Sequence, residues 1–200
     1  MSGYSEYPWR ALYATGIPHT IEAPFTSALD MFKNSSNNNP NNVGIWYFDT
    51  PISLSEMDKQ SDALACALLA RGFQHGDRLA VYMQNLPQFV ISMLATWKAG
   101  GVMVSVNPMN KERELETLLL DSGARVLVTQ EALWEDVARG VVATGKSAVD
   151  IVITTNEIDY VVGDVPTILK GSKKSIATDA SDMRNLISDF LGKVPPAISL

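Results

Sequence analysis

From position 43 onward the chain alternates short apolar runs with longer stretches in which apolar side chains return every three or four residues. The run 43–48 reads as a strand, and Asp49-Thr50-Pro51 as the turn that ends it. Ile52 leads into a helix whose start is marked by Ser53 and Glu56, a spacing at which each side chain satisfies the other's backbone N–H. Leu54, Met57, Leu64 and Leu68 line one face of that helix, and Gly72 stops it. Four more strands are predicted at 78–82, 102–106, 126–129 and 151–154, with helical patterns at 87–99, 111–121 and 131–142 between them. Near-continuous apolar strands alternating with helices predict βαβ crossovers and a buried sheet. The expected fold is α/β: three αβα layers around a mainly parallel sheet.

The flanks are less regular. Residues 1–33 combine Tyr4, Tyr7, Trp9 and Tyr13 with Pro8, Pro18 and Pro24, which predicts an arm over the body with one helical turn near 27–32. Residues 34–42 are Asn, Ser and Pro only and read as an exposed loop. The division is therefore 1–42 as arm and loop, and 43–200 as the α/β unit. Beyond Asn156, 158–162 reads as a short strand, 171–181 as loop and 183–191 as an amphipathic helix. A tail from Pro195-Pro196 to Ile198-Ser199-Leu200 follows.

Composition narrows the function classes. Two hundred residues with 46% hydrophobic and 19% charged side chains build a core without metal or disulfide staples. One cysteine and two histidines exclude an internal disulfide and a closed zinc site. A net charge of −6 argues against a nucleic-acid partner, whose footprint on a protein is basic. No apolar run approaches the ~20 residues that span a bilayer, and no basic segment precedes a hydrophobic core at the N-terminus. The expectation is a cytoplasmic chain from a reducing compartment.

Gly140 to Ser147 matches the phosphate-loop pattern G-x-x-x-x-G-K-S letter for letter. A working phosphate loop follows a strand and opens a helix, whose N–H groups hold the phosphates. Here the order is inverted, so Gly145 reads as a helix cap and Lys146 as a cation near the helix's negative end. Cys66 on an apolar helix reads as a small buried hydrophobe, without the base a nucleophile needs. His75 reads as a turn residue, His19 has no recognisable partner, and Glu112, Arg113, Glu114 and Glu116 form a solvated face. No catalytic residue and no metal ligand is assigned. In open parallel sheets ligands bind beyond the carboxyl ends of the strands. That singles out Gln84-Asn85-Leu86-Pro87, Asn107-Pro108-Met109-Asn110 and Thr129-Gln130. Each Asn there has a structural alternative: Asn110 as cap of the next helix, Asn85 and Asn107 as bonds within their own turns.

The stretch Gly76-Asp77-Arg78 … Gln84-Asn85-Leu86-Pro87-Gln88-Phe89 resembles the N-terminal region of AMP-forming acyl-CoA synthetases. Lys98-Ala99-Gly100, Asn107-Pro108, Arg113-Glu114-Leu115 and Asp121-Ser122-Gly123-Ala124 continue the same progression in order. Pro8-Trp9-Arg10 and Gly16-Ile17-Pro18 are similar to the lead-in of the long-chain fatty acid branch. Two departures stand out: Asn110-Lys111 occupies the usual Tyr-Thr position, and Gly100-Gly101 replaces Gly-Ala. The resemblance implies a fatty acid–CoA ligase that uses ATP, Mg²⁺ and CoA through an acyl-adenylate. The family's Ser/Thr/Gly-rich phosphate loop and its later motifs are absent from these 200 residues. The chain thus reads as the front portion of such a ligase, inactive alone, whose partner is the remainder of the ligase chain and whose substrate there is a fatty acid. Asn85, Asn107 and Pro108 are expected as one wall of the acyl or CoA channel, and self-association through a docking face is expected too. The alternatives are a non-catalytic interaction module and a phosphate-loop nucleotide binder using Lys146 and Ser147.

Overall fold

A computed structural model describes residues 7–172, 174–175 and 177–197. Tyr4 of the arm and the terminal Ile198-Ser199-Leu200 lie outside the described residues. The first surprise is in the polar segment. Helix α1 spans Ala28–Asn38, so the Asn-rich stretch is helical as far as Asn38 rather than an exposed loop. Ser27 caps it by accepting from Asp30 N–H at 3.1 Å, and Asn38 Nδ2 donates to Asn34 Oδ1 one turn back. Leu29 and Phe32 anchor its inner face against Ile52, Met57 and Leu94. That burial overrides the weak helix propensity of Asn and Ser. Ahead of it, Pro8–Leu12 forms a 3-10 turn, and 11–24 is exposed.

Strands β1 (Val43–Tyr47) and β2 (Thr50–Ser53) form an antiparallel hairpin of their own. The expected turn at 49–51 is displaced: Phe48 and Asp49 take left-handed φ of 43° and 62°, and Thr50 already belongs to β2. Two consecutive positive φ values match the twist of a tight hairpin, at some cost for a bulky Phe. Helix α2 (Leu54–Ala70) starts with the expected capping box. Ser53 N–H donates to Glu56 Oε2 at 2.8 Å, and Glu56 N–H to Ser53 Oγ at 3.2 Å. The bonds that Ser53 N–H and Ser53 Oγ donate to its carboxylate hold Glu56 below its ordinary pKa.

The main sheet is built from β3 (Arg78–Tyr82), β4 (Val102–Val106), β5 (Val126–Gln130), β6 (Ile151–Thr155) and β7 (Ser181–Asp182). Its order is β4-β3-β5-β6-β7, and every pairing is parallel. Helix α3 (Pro87–Lys98) joins β3 to β4, and α4 (Glu112–Ser122) joins β4 to β5. The next crossover runs through α5 (Glu131–Leu133), a π-helical turn (Trp134–Ala138) and α6 (Arg139–Ala143). Helix α7 (Met183–Phe190) follows β7, capped by Asp182.

Alternation along the strands builds the three layers. Leu79, Val81, Val126 and Val128 point to one face, where Leu64 and Leu68 of α2, Ile91 of α3 and Leu186 of α7 cover them. Ala80, Tyr82 and Leu127 point to the other, under Leu115 and Leu119 of α4 and Trp134 and Val141 of the third crossover. The short strand expected at 158–162 is a turn instead. Ile158 N–H donates to Asn156 Oδ1, Asp159 N–H to Asn156 O and Val161 N–H to Ile158 O, each at 3.1 Å, which spends locally the N–H groups a strand would pair. At Gly101 a Cβ would collide with the Phe73 ring and meet Asp77 O at 2.9 Å, so the Gly-Gly departure is what lets Phe73 pack there. Among the described residues no helix is long and apolar enough to cross a membrane.

Candidate functional site at the carboxyl ends of the strands

All five parallel strands end on the same side, and their polar residues gather there. Gln130 at the end of β5 accepts from Gln84 N–H through Oε1 at 2.7 Å and donates through Nε2 to Glu157 Oε2 at 3.1 Å. Gln88, in the first turn of α3 and wholly buried, donates to Thr155 Oγ1 at 3.0 Å and Asn156 O at 2.8 Å, while its Oε1 has no partner. Glu157 Oε1 accepts from Ser172 Oγ at 2.5 Å. Burial works against the charge of Glu157, but the hydrogen bonds from Ser172 and Gln130 outweigh it and hold its pKa below the ordinary value. Tyr47 reaches in from the hairpin and donates to Glu157 O at 2.8 Å; burial, then the Glu157 charge, pushes its phenol up to about 12. Tyr82, the last residue of β3, donates through its hydroxyl to Asn110 O at 2.5 Å.

The expected site residues take separate places on this edge. Asn85 is exposed and lines a cavity of about 300 Å³ with Trp46, Tyr47 and Phe89. Asn107 is exposed, and its Oδ1 accepts from Met109 N–H at 2.9 Å, the bond within its own turn. Pro108 is half-buried in that turn. Asn110 does not cap α4: Lys111 stands at the cap position, and Lys111 N–H donates to Glu114 Oε2 at 3.2 Å. The sequence reading stopped at Gln130 and passed over Gln88, Glu131, Asn156 and Glu157. Glu131 carried a signal, as a polar side chain opening a helix directly after β5; Gln88, Asn156 and Glu157 gain meaning only from partners distant in sequence, Thr155 for Gln88, Glu131 for Asn156 and Ser172 for Glu157.

The phosphate-loop lookalike is a helix end. Gly145 has φ of 67°, the left-handed geometry of a cap, and follows α6. Lys146 Nζ pairs with Glu116 Oε1 at 2.8 Å, so its charge is already met. The segment then runs to β6, and no helix opens on it. Cys66 is half-buried; burial, then Asp62, raises its pKa against the opposing pull of Lys193, which keeps it a thiol. His75 sits on an exposed turn, and His19 stacks edge-on to Tyr13 with centroids 6.0 Å apart. Among the described residues no group of three or more His, Cys, Asp or Glu is disposed to hold a metal ion.

Comparison with known proteins decides the family. The family model described as AMP-binding enzyme matches residues 32–186. The chain belongs to the AMP-binding enzyme family. It is 31% identical over 156 residues to a long-chain-fatty-acid–CoA ligase of Bacillus subtilis, covering 78% of this chain and 27% of that protein. It is 30% identical over 166 residues to a protein of the same description from Escherichia coli, covering 82% and 28%. These AMP-binding relatives match through their N-terminal part, and the chain spans under a third of their length. Among solved structures, an anthranilate CoA ligase in complex with anthranoyl-AMP superposes with a TM-score of 0.69 at 16% identity, covering 89% of this chain and 31% of that one. A long-chain-fatty-acid CoA ligase structure from Rhodopseudomonas palustris gives 0.69 at 17% identity, covering 88% and 39%. The parallel sheet and its helical layers are therefore the N-terminal subdomain fold of adenylate-forming enzymes.

Proposed function

We propose that this chain is the N-terminal portion of an AMP-forming fatty acid–CoA ligase. The observation that carries the reading is the ordered motif series from Gly76 to Val128, in a chain 31% identical to a long-chain-fatty-acid–CoA ligase over 156 residues. In the whole enzyme a fatty acid carboxylate attacks the α-phosphate of ATP, giving an acyl-adenylate and pyrophosphate. The CoA thiol then displaces AMP and forms the thioester. Mg²⁺ belongs to that reaction as the counter-charge of the triphosphate. A cytoplasmic, reducing compartment, where the CoA thiol stays free, is part of this reading.

These residues themselves do not fit a triphosphate and its metal. The Gly-Lys-Ser turn lies at a helix's carboxyl end, and Lys146 is neutralised by Glu116. Adenylation therefore falls to the remainder of the ligase chain, against which this portion packs, and the 200 residues alone bind neither ATP nor CoA tightly. What this chain supplies is a wall: Asn85, with Trp46, Tyr47 and Phe89, faces the acyl chain across the 300 Å³ cavity. Asn107 and Pro108 shape the adjoining loop. Self-association through an exposed apolar docking face is part of the same reading.

Incubation with palmitate, ATP, Mg²⁺ and CoA tests the assignment. The expected result is no ligand-dependent pyrophosphate from the 200 residues, and turnover above background overturns it. In a longer form that does turn over, Asn85→Ala is expected to raise KM for palmitate with little change in KM for ATP. Unchanged kinetic constants for CoA and palmitate in Asn107→Ala would remove Asn107 from the channel.

A further inference from the structure

A separate cavity opens on the loop side of β5 and β6. Glu131 follows β5 directly and is 2% exposed. Its Oε2 accepts from Asn156 Nδ2 at 2.7 Å and from Ser175 N–H at 2.6 Å. Its Oε1 is equally buried and has no hydrogen-bond partner. A buried carboxylate oxygen left without a donor is costly, and natural structures rarely tolerate it without reason. Glu131 lines a cavity of about 360 Å³ together with Glu135 and Glu157. That volume lies at the small end of ligand cavities.

The described lining is acidic. Among the described residues no Lys, Arg or His lines the cavity. Among the described residues the nearby cations are engaged elsewhere: Arg139 with Glu135 and Asp179, Lys174 with Asp159 and Asp182. Glu157 has spent both oxygens on Ser172 and Gln130. Ala132 and Ile168 supply an apolar part of the wall. A single open oxygen among carboxylates suits a directional N–H donor. A metal ion needs several ligands at once, and among the described residues no such group is placed to coordinate one.

We propose that this cavity binds a short alkylammonium ion, which donates an N–H to Glu131 Oε1 and lays its alkyl stem against Ala132 and Ile168. The site is independent of the ligase reading, and its test needs no turnover.

The probe is ethylammonium chloride, titrated into the isotope-labelled chain and followed by amide NMR, with potassium chloride at matched ionic strength as control. Saturable shifts at the amides of Glu131, Asn156 and Ser175, absent with potassium chloride, are expected. Glu131→Gln should weaken binding about tenfold, because the ammonium then meets a neutral oxygen in place of a charged one. Because that change also touches the Asn156 and Ser175 bonds, Ala132→Leu on the exposed rim narrows the cavity and leaves them intact. It is expected to abolish saturation. Non-saturating shifts that potassium chloride reproduces, as an ordered water alone on Glu131 would give, overturn the proposal. Equal ethylammonium binding in both variants overturns it too.

Discussion

Lys98 and Glu131 are both charged and both almost fully buried, and they end in opposite ways. Lys98, 3% exposed between α2 and α3, donates to Asp58 O at 2.9 Å, Asp58 Oδ1 at 2.6 Å and Asp62 Oδ1 at 2.8 Å. An ammonium has three protons, so nothing on it is left over. Glu131 uses one carboxylate oxygen twice and the other not at all. Burying a charge is expensive unless every valence is met. A completed charge marks a pin between helices, and the open one at Glu131 is what the proposed ammonium would complete. Two further buried atoms lack a partner, Gln88 Oε1 at the carboxyl edge of the sheet and Ser92 Oγ farther along α3.

The pin gives the largest expected effect. Lys98→Met strands two aspartates and should cost about 3 kcal/mol in urea denaturation, the low end for a broken buried pair. The low end applies because Asp58 and Asp62 keep 32% and 17% side-chain exposure and regain some hydration. A loss below about 1 kcal/mol would erase the contrast, since Lys98 would then be no more than a surface pair.

Tyr47→Phe comes next and reads the edge through pH. The buried phenol titrates near 10 when unfolded and is pushed up to about 12 in the fold. Its neutral form is the one the fold favours, so this stabilisation is complete below pH 10 and disappears as pH rises toward 12. Removing the hydroxyl should flatten that alkaline fall and cost about 1 kcal/mol at neutral pH for the bond to Glu157 O. An unchanged alkaline slope would mean that Tyr47 is hydrated.

The smallest change is expected at Gln88. Gln88→Met gives up two donated bonds but also removes an acceptor with no partner, so stability should stay within about 1 kcal/mol. A cost above about 2 kcal/mol would show that this edge is as complete as the Lys98 pin.

Much of the molecule was readable residue by residue. The capping box at Ser53 and Glu56, the stops at Gly72 and Gly145, and the strands from 78 to 155 follow from local chemistry and short periods. Where long-range packing outweighed local preference, the reading failed. Asn34 to Asn38 became helix because Leu29 and Phe32 had a surface to bury against. Val43 to Tyr47 left the main sheet because β2, hidden in a segment read as turn and helix approach, pairs with it. Of the carboxyl edge, Asn85, Asn107 and Gln130 were visible from strand polarity. Glu131 stood in view as the residue opening a helix after β5, but its hydrogen bonding was not legible, because its partners Asn156 and Ser175 lie 25 and 44 residues away.

The order of apolar and polar residues by itself determined the layered parallel sheet, since strands buried on both faces need continuous apolar runs and helices need one apolar stripe. The motif order on that sheet carried the family. Only the tertiary structure decided which charges are finished and which are open. Hydrogen-bond completion depends on groups brought together across tens of residues, and no periodicity in the chain encodes the partner that Lys98 found and Glu131 Oε1 did not.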